Sequence, residues 1–181
     1  MATWVCLLRA VNVGGRNKVP MAQLRVELAD EGFAQVQTYL QSGNVVLSSE
    51  LPDAASVSEV VGAVIAREFG VKTSVIVRSP EQMQAIRAWD PYPAIALTNP
   101  AVVHVIHLDG EPDPMGVDSL LAADWGADQI TINGSEIAIA YGESMHSSRL
   151  QHAAILRHLK VDGTARNWRT VVALTEMCGG D

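Results

Sequence analysis

Apolar and polar positions along the first half of the chain alternate in ways that distinguish strands from helices. Valine and isoleucine recur between Val57 and Ile65 at the i, i+3, i+4, i+7 spacing of an amphipathic helix. Alternating apolar and polar residues over 71–77 predict a half-exposed strand instead. Strands are predicted over 3–8, 36–40, 45–47 and 71–77, and helices from Pro20 to Gly32 and from Val57 to Gly70. The predicted order of elements is therefore βαββαβ.

A related series of elements follows a stretch that is rich in proline. Ser79 and Gln82 form a capping box around Pro80, which predicts a helix to about Trp89. Prolines 91, 93 and 100 then interrupt regular structure and predict a boundary between two halves. Beyond it we predict a strand over 102–108, a helix over 117–123, a hairpin with Asn133-Gly134 at the centre of a type I′ turn, and helices over 148–159 and 168–177.

These elements predict an α+β fold with two subdomains, residues 1–90 and 91–181. Each subdomain is expected to be an antiparallel sheet with helices packed on it. The first has the ferredoxin-like βαββαβ arrangement, and the second is a related repeat. The repeat is predicted from the order of the elements and not from residue identity.

Composition limits the class of protein. At 181 residues and 48% hydrophobic, the chain can bury a core without metals or cross-links. The apolar runs are shorter than the roughly 20 residues of a membrane span, and the first residues do not read as an export signal. Two cysteines, Cys6 and Cys178, are too few for a disulfide framework. We therefore predict a cytoplasmic protein without membrane association or cofactor.

The distribution of charge is uneven along the chain. A formal net charge of -7 argues against a general electrostatic grip on nucleic acid. Basic residues nevertheless concentrate at the two ends: Arg9, Arg16, Lys18 and Arg25 near the start, and Arg149, Arg157, Lys160, Arg166 and Arg169 near the end. If the fold brings these ends together, an acidic protein can still present one basic face.

The loop from Arg9 to Lys18 is the first candidate binding segment. Gly14 and Gly15 allow backbone N–H groups to approach an anion, and Arg16 and Lys18 add positive charge beside the start of a helix. The spacing matches neither the P-loop nor the dinucleotide fingerprint, so nucleotide hydrolysis gains no support. The alternative interpretation is a structural loop with solvated basic side chains.

The turn from Gln41 to Asn44 is the second candidate segment. Its side chains can donate and accept hydrogen bonds beside the flexible Gly43, although a turn needs no function to explain such residues. We expect this hairpin and the first loop to start at opposite ends of their strands, so that they approach each other only if bends intervene.

The segment from Thr164 to Thr170 is the third candidate. Arg166 and Arg169 would share a face if both lie on one helix, and could then hold a carboxylate or phosphate next to Trp168. Alternatively, Trp168 packs in the core and the arginines pair with acids.

Histidine residues do not suggest a metal site. His104 and His107 are expected on opposite faces of one strand. His146 lies next to Ser147 and Ser148, as a base beside a nucleophile would, but no third orienting group is evident.

Four sequence stretches resemble the bacterial family called domain of unknown function 1697. They are Leu7-Leu8-Arg9-Ala10-Val11-Asn12-Val13-Gly14-Gly15, Asn17-Lys18-Val19-Pro20-Met21, Tyr39-Leu40-Gln41-Ser42-Gly43-Asn44-Val45 and Arg166-Asn167-Trp168-Arg169-Thr170-Val171. The resemblance implies two α+β subdomains related to the ferredoxin-like arrangement, and it implies no activity. The family's motif residues correspond here to Arg9, Asn12, Gly14, Gly15, Lys18, Gln41, Ser42, Gly43, Asn44, Arg166, Asn167 and Trp168. Ala10 stands where such proteins more often have glycine.

The function predicted from these segments is binding of a phosphorylated or otherwise anionic ligand, such as a nucleotide or a short nucleic acid. The predicted ligand-binding residues are Arg9, Asn12, Gly14, Gly15, Arg16, Lys18, Gln41, Ser42, Asn44, Arg166, Asn167 and Arg169. The alternatives are an enzyme that acts on a phosphorylated or acyl substrate at the same surface, and a structural or interaction module with no small ligand. No catalytic residue and no metal ligand is identified from the sequence.

Overall fold

A computed structural model describes residues 1–179 of the chain. By their packing, these residues form two compact units, one of Met1–Ala85 with the chain from Leu174 onward, and one of Ile86–Ala173. The domain boundaries 1–90 and 91–181, expected from the sequence, stay a prediction.

The first unit contains a four-stranded antiparallel sheet in the order β2-β3-β1-β4. The elements, as they follow one another, are β1 (Ala2–Leu8), α1 (Met21–Asp30), β2 (Ala34–Tyr39), β3 (Asn44–Ser49), α2 (Ala54–Phe69), β4 (Val75–Arg78) and α3 (Pro80–Trp89), whose residues from Ile86 onward belong to the second unit. The predicted ferredoxin-like βαββαβ arrangement is confirmed. One face of the sheet packs on α1 and α2, where Leu8, Leu24 and Val61 belong to a continuous buried core.

Helix α2 begins three residues before the predicted Val57, and both α2 and α3 have side-chain caps at their first turns. Asp53 caps α2 by accepting a hydrogen bond from the Ser56 amide, and Gly70 ends the helix in the left-handed conformation. At α3 the capping box is complete. The Gln82 amide donates to Ser79 Oγ, and the Ser79 amide donates to Gln82 Oε1.

The second unit contains a sheet of the same topology, in the order β6-β7-β5-β8. The elements are α4 (Pro93–Thr98), β5 (Val103–Leu108), α5 (Pro114–Ala122), β6 (Gln129–Asn133), β7 (Glu136–Ala140), α6 (His152–His158), β8 (Gly163–Asn167) and α7 (Trp168–Cys178), whose residues from Leu174 onward belong to the first unit. Ile106, Leu120, Ile139 and Leu156 belong to the buried core on its helical side. The chain is therefore α+β, with the βαββαβ order present twice.

Several boundaries differ from those predicted. A strand, β8, occupies 163–167, where the sequence predicts only the approach to a helix, and it completes the second sheet. A short helix, α4, begins at Pro93 inside the predicted break. The helix predicted over 148–159 is limited to His152–His158, and β4 is buried throughout and not half exposed.

The β6–β7 turn is shifted by one residue from the prediction. Asn133 pairs with Glu136, so Gly134 and Ser135 are the central residues of the turn. Only Gly134 has a positive φ, 58°, which is the pattern of a type II′ turn and not of the predicted type I′ turn.

Candidate functional site

Three loops of the first unit meet at one edge of its sheet. Strand β1 is antiparallel to both β3 and β4, with Leu7 opposite Asn44 and Leu8 opposite Val75. The end of β1 therefore lies beside the beginnings of β3 and β4. We call the loops that meet there, residues 9–20, 40–43 and 70–74, the loop edge.

The first two candidate segments are thus in contact, contrary to the prediction. The prediction placed them at opposite ends, but an antiparallel neighbour starts where β1 stops. The Leu8 amide donates to the Gly43 carbonyl at 2.8 Å, and Arg9 is held on its other side by Ser74 and Thr73. Thr73 Oγ1 donates to the Arg9 carbonyl at 2.6 Å.

Asn12 fastens the first loop to the second. Its Nδ2 donates to the carbonyls of Val19 (2.9 Å) and Gln41 (2.8 Å), and its Oδ1 accepts from the Val19 amide (2.9 Å). Both amide hydrogens and the oxygen are therefore used within the protein. Asn12 holds a positive φ of 56°, so a side-chain network stabilises an unfavourable backbone conformation.

The tip of the first loop is a tight turn that projects into solvent. The Arg16 amide donates to the Val13 carbonyl, and Gly14 and Gly15 both have positive φ, as a type I′ turn requires. Apart from the adjacent residues in the chain, no atom of residues 1–179 lies within 4 Å of a Cβ built on either glycine. At the base of the turn, the Asn12 amide donates to the Asn17 carbonyl, and Asn17 Nδ2 donates to the Ala10 carbonyl.

The second loop packs closely against the first through Gly43. A Cβ at this position would lie 2.5 Å from Val11 Cγ2 and 2.7 Å from Leu8 Cβ, so only glycine fits. Asn44 is fully buried, and its Nδ2 donates to the Tyr39 carbonyl and to Ser42 Oγ. The side chains of Gln41 and Ser42 lie at the surface.

The loop edge carries only positive formal charge. Its basic residues are Arg9, Arg16, Lys18 and Lys72, and it contains no Asp, Glu or His. All four basic residues are exposed. Lys72 is not among the ligand-binding residues predicted from the sequence, although the βαββαβ order places the loop before β4 beside the end of β1. Helix α1 starts at the same edge, and its N-cap residue, Pro20, makes no side-chain capping bond.

Comparison with known proteins assigns this chain to a family. The model described as "Protein of unknown function (DUF1697)" matches residues 1–137, which include the whole loop edge. The chain belongs to the DUF1697 family. A solved structure described as the conserved bacterial protein SP0830 from Streptococcus pneumoniae is similar to this DUF1697 protein over 98% of each chain, with a TM-score of 0.76 and 24% identity. At that identity the likeness shows the fold alone. No curated protein matches the chain.

The third candidate segment of the DUF1697 protein does not form the predicted arginine fork. Arg166 is 7% exposed in β8, whereas Arg169 is exposed in the first turn of α7, so the two do not share a helix face. Arg166 Nη1 donates to Thr164 Oγ1 and to the Ala165 carbonyl, and burial lowers the pKa of its guanidinium to about 10. Trp168 is buried. That the loop edge and this segment form one surface stays a prediction.

Asn167 has a structural partner that the sequence analysis overlooked. Its Oδ1 accepts hydrogen bonds from the Thr170 amide (3.0 Å) and from Thr170 Oγ1 (3.1 Å), so it is the N-cap of α7. An asparagine followed three residues later by threonine was the available signal. It was missed because the preceding strand was missed.

The histidines of the DUF1697 protein form no metal centre. Within residues 1–179, no group of three or more His, Cys, Asp or Glu side chains could hold a metal ion. Ser148 Oγ donates to the Asp128 carboxylate, and Ser147 contacts Ser144, so hydrogen bonds of both serines are directed away from His146.

A separate cluster joins His104, Tyr141 and His152. Tyr141 Oη lies 3.0 Å from His152 Nε2 and donates to the Leu150 carbonyl, while the ring centroids of the two histidines are 5.3 Å apart. Burial lowers the pKa of both histidines, and the neighbouring His104 adds to the effect on His152, whose pKa falls to about 4.

Proposed function

We propose that this DUF1697 protein binds a phosphorylated or otherwise anionic ligand, such as a nucleotide or a short nucleic acid, at the loop edge. The observation that carries the proposal is the concentration of four exposed basic residues, without an acidic residue, on three mutually fastened loops. The rest of the chain has 9 Lys or Arg against 20 Asp or Glu, so an anion is attracted to this edge in particular.

The residues of the loop edge divide into two roles. Arg16 and Lys18 form no ion pair or side-chain hydrogen bond within residues 1–179, so their donors are available to a ligand, and Arg9 adds charge beside them. Gln41 and Ser42 add polar groups at the surface. By contrast, Asn12 and Asn44 use their amides to hold the loops in place, while Gly14 and Gly15 permit the turn. We assign these four a positioning role.

Of the third segment, Arg169 is exposed and stays a predicted binding residue, whereas Arg166 and Asn167 serve β8 and α7. The same titrations with Arg169→Gln measure whether it contributes.

Binding is favoured over catalysis because the loop edge lacks the usual general bases. No Asp, Glu, His or Cys occurs in residues 9–20, 40–43 or 70–74, so lysine is the only type of side chain in these loops that could act as a general base.

The experiment is a titration of the purified protein with ATP, pyrophosphate and a short fluorescent oligothymidylate. We expect Arg16→Gln with Lys18→Gln to weaken binding about tenfold, because two charge-assisted contacts are lost. The matched control is Arg157→Gln with Lys160→Gln, which removes two exposed cations from the second unit. The proposal fails if the wild type binds none of the three probes, or if both double variants bind alike.

The structural alternative has its own supporting observation, since the amides of Asn12, Asn44 and Asn167 all bond inside the protein. It requires that none of the probes raises the melting temperature, whereas a ligand at 100 times its Kd should add about 2.7 kcal/mol to stability.

Among residues 1–179, no helix is long and apolar enough to cross a membrane. A cytoplasmic location remains part of the proposal, in keeping with Cys6 and Cys178, which form no disulfide.

A further inference from the structure

The helical side of the second unit contains an apolar cavity of about 400 Å³ beside α5 and α6. Leu120, Leu150 and Ile155 form its buried wall, and each is less than 5% exposed. Ala123 and Ala154 also line it, and their small side chains leave the space open. The cavity is open to solvent, since Ala123, Arg149 and Ala154 among its lining residues are exposed, and its volume falls within the range of about 300–1,000 Å³ found for ligand sites.

Trp125 supplies a fixed aromatic wall. Its Nε1 donates to the Leu120 carbonyl at 2.8 Å, which anchors the indole to the end of α5. The ring is half-buried and lines the cavity together with the aliphatic residues. A planar apolar group could pack against the part of the indole that lines the cavity.

Arg149 gives the cavity a charge preference. Its Cζ lies 5.9 Å from the centroid of the Trp125 ring, and its Nη2 donates to the Asp124 carbonyl at 2.8 Å. That bond uses one of five guanidinium donors, and within residues 1–179 Arg149 has no carboxylate partner. No Asp or Glu lines the cavity. A guanidinium beside an apolar wall favours a planar anion that can accept two parallel hydrogen bonds.

The remaining polar lining is a hydrogen-bonded pair, Ser119 and His158. Ser119 Oγ lies 2.7 Å from His158 Nε2, and it also lies 3.3 Å from the Gly116 carbonyl, which accepts its hydrogen in that arrangement. The pair therefore offers hydrogen bonds, whereas Arg149 is the only residue lining the cavity that is permanently charged.

We infer that this cavity binds a small monocarboxylate with an apolar body of one or two rings. The carboxylate is held by Arg149, and the rings lie between Trp125 and the wall formed by Leu120, Leu150 and Ile155. This site is in a different unit from the loop edge and does not depend on the function proposed there.

The test compares two probes of the same shape, 2-naphthoate and its neutral amide, by isothermal titration calorimetry. We expect the wild type to bind the carboxylate about tenfold more tightly than the amide, because only the carboxylate gains the charge-assisted contact. Arg149→Gln should remove this preference. Ala154→Phe should abolish binding of both probes, because the larger side chain fills the cavity.

The matched control is Arg157→Gln, which removes an exposed arginine on α6 that does not line the cavity. It should bind both probes as the wild type does. Circular dichroism verifies that Ala154→Phe is folded, and if it is not, Arg149→Gln decides alone. The inference is overturned if neither probe binds, if the wild type does not distinguish them, or if a folded Ala154→Phe variant binds with unchanged affinity.

Discussion

At the scale of single residues, the two asparagines of the first loop illustrate how similar side chains differ in importance. Asn12 and Asn17 both have positive φ, 56° and 50°. Asn12 takes part in three side-chain hydrogen bonds and joins two loops, whereas Asn17 makes one bond within its own loop. Asparagine tolerates this backbone conformation better than most residues, so conformation alone does not separate them.

We predict that Asn12→Ala lowers the free energy of unfolding by about 2–3 kcal/mol, since each lost bond is worth about 1 kcal/mol. Asn17→Ala should cost about 1 kcal/mol by the same reasoning. Urea denaturation of both variants measures the difference. Equal losses would mean that the fastening between the two loops contributes little to stability.

Gly43 and Gly14 provide a second comparison. Alanine at Gly14 meets only the unfavourable positive φ, which costs about 1–2 kcal/mol. Alanine at Gly43 also collides with Val11 and Leu8, so we predict a loss of more than about 3 kcal/mol or failure to fold. Soluble yield and thermal unfolding distinguish the two. A Gly43→Ala protein as stable as Gly14→Ala would show that the loops separate easily.

His104 and His152 in the second unit predict a dependence of stability on pH. The pKa of His152 is about 4 in the folded protein, below its ordinary value of 6.5, so the unfolded chain binds the proton more tightly. The stability that comes from this group is complete above pH 6.5 and is lost as the pH falls towards 4. We expect the melting temperature of His152→Gln to fall less than that of the wild type when the pH is lowered from 7 to 5.

The control for this pH experiment is His146→Gln, which changes an exposed histidine in a loop. It should follow the wild type across the same pH range. If His152→Gln also follows the wild type, protonation of the His104–Tyr141–His152 cluster does not destabilise the fold.

At the scale of elements, the strand registers show that the two units resemble each other in more than the order of their elements. Arg78 lies opposite Val5, and Arg166 lies opposite Val105, at corresponding places in the two sheets. Both arginines are 7% exposed, and each donates from Nη1 to the carbonyl of the preceding residue. In both units the next residue caps a helix, through Ser79 or Asn167.

The cap of α7 allows us to predict how substitutions of Asn167 change stability. Asn167→Ala should cost about 1 kcal/mol, or about 2–4 °C in melting temperature, because Thr170 loses its acceptor. Asn167→Asp keeps an oxygen at the same place and should remain within about 0.5 kcal/mol of the wild type. Calorimetry on both variants provides the check. If Asn167→Ala is as stable as the wild type, the hydrogen bonds between Asn167 and Thr170 do not stabilise α7.

Elements with a strong local signal were predictable from the sequence, and those that depend on partners were not. Helix α2 has apolar periodicity and a glycine cap at its end, and α3 has its capping box, so both helices were predicted, although α2 begins at Ala54 and not at the predicted Val57. Strand β8 has the sequence Gly-Thr-Ala-Arg-Asn, which lacks an apolar run, and it is a strand because β5 supplies its hydrogen bonds. The loop edge needed the pairing of β1 with β3 and β4, which local patterns do not contain.

At the scale of the whole molecule, charge is the property that average composition conceals. The net charge of -7 describes a protein that should repel nucleic acid, yet one edge of one sheet is uniformly basic. Screening weakens this local attraction as salt rises, because the basic side chains are exposed.

We therefore predict a strong dependence of oligothymidylate binding on salt. If all four basic residues of the loop edge contact phosphates, the slope of log K against log salt should be about -3, at about -0.7 for each contact on a single strand. Arg16→Gln with Lys18→Gln should reduce the slope by about 1.4. Fluorescence anisotropy across a series of salt concentrations measures both values. A slope near zero would show that oligothymidylate binding does not use the charges.

The hydrogen bond between the Asn12 amide and the Asn17 carbonyl closes the first loop at its base, while residues 13–16 project freely. The tip can therefore be exchanged as a cassette without disturbing the sheet below it. Foreign turns of the same length, grafted between Asn12 and Asn17, would be held at their base by the hydrogen bond between these two residues. The loop is therefore a suitable place to introduce a new binding sequence.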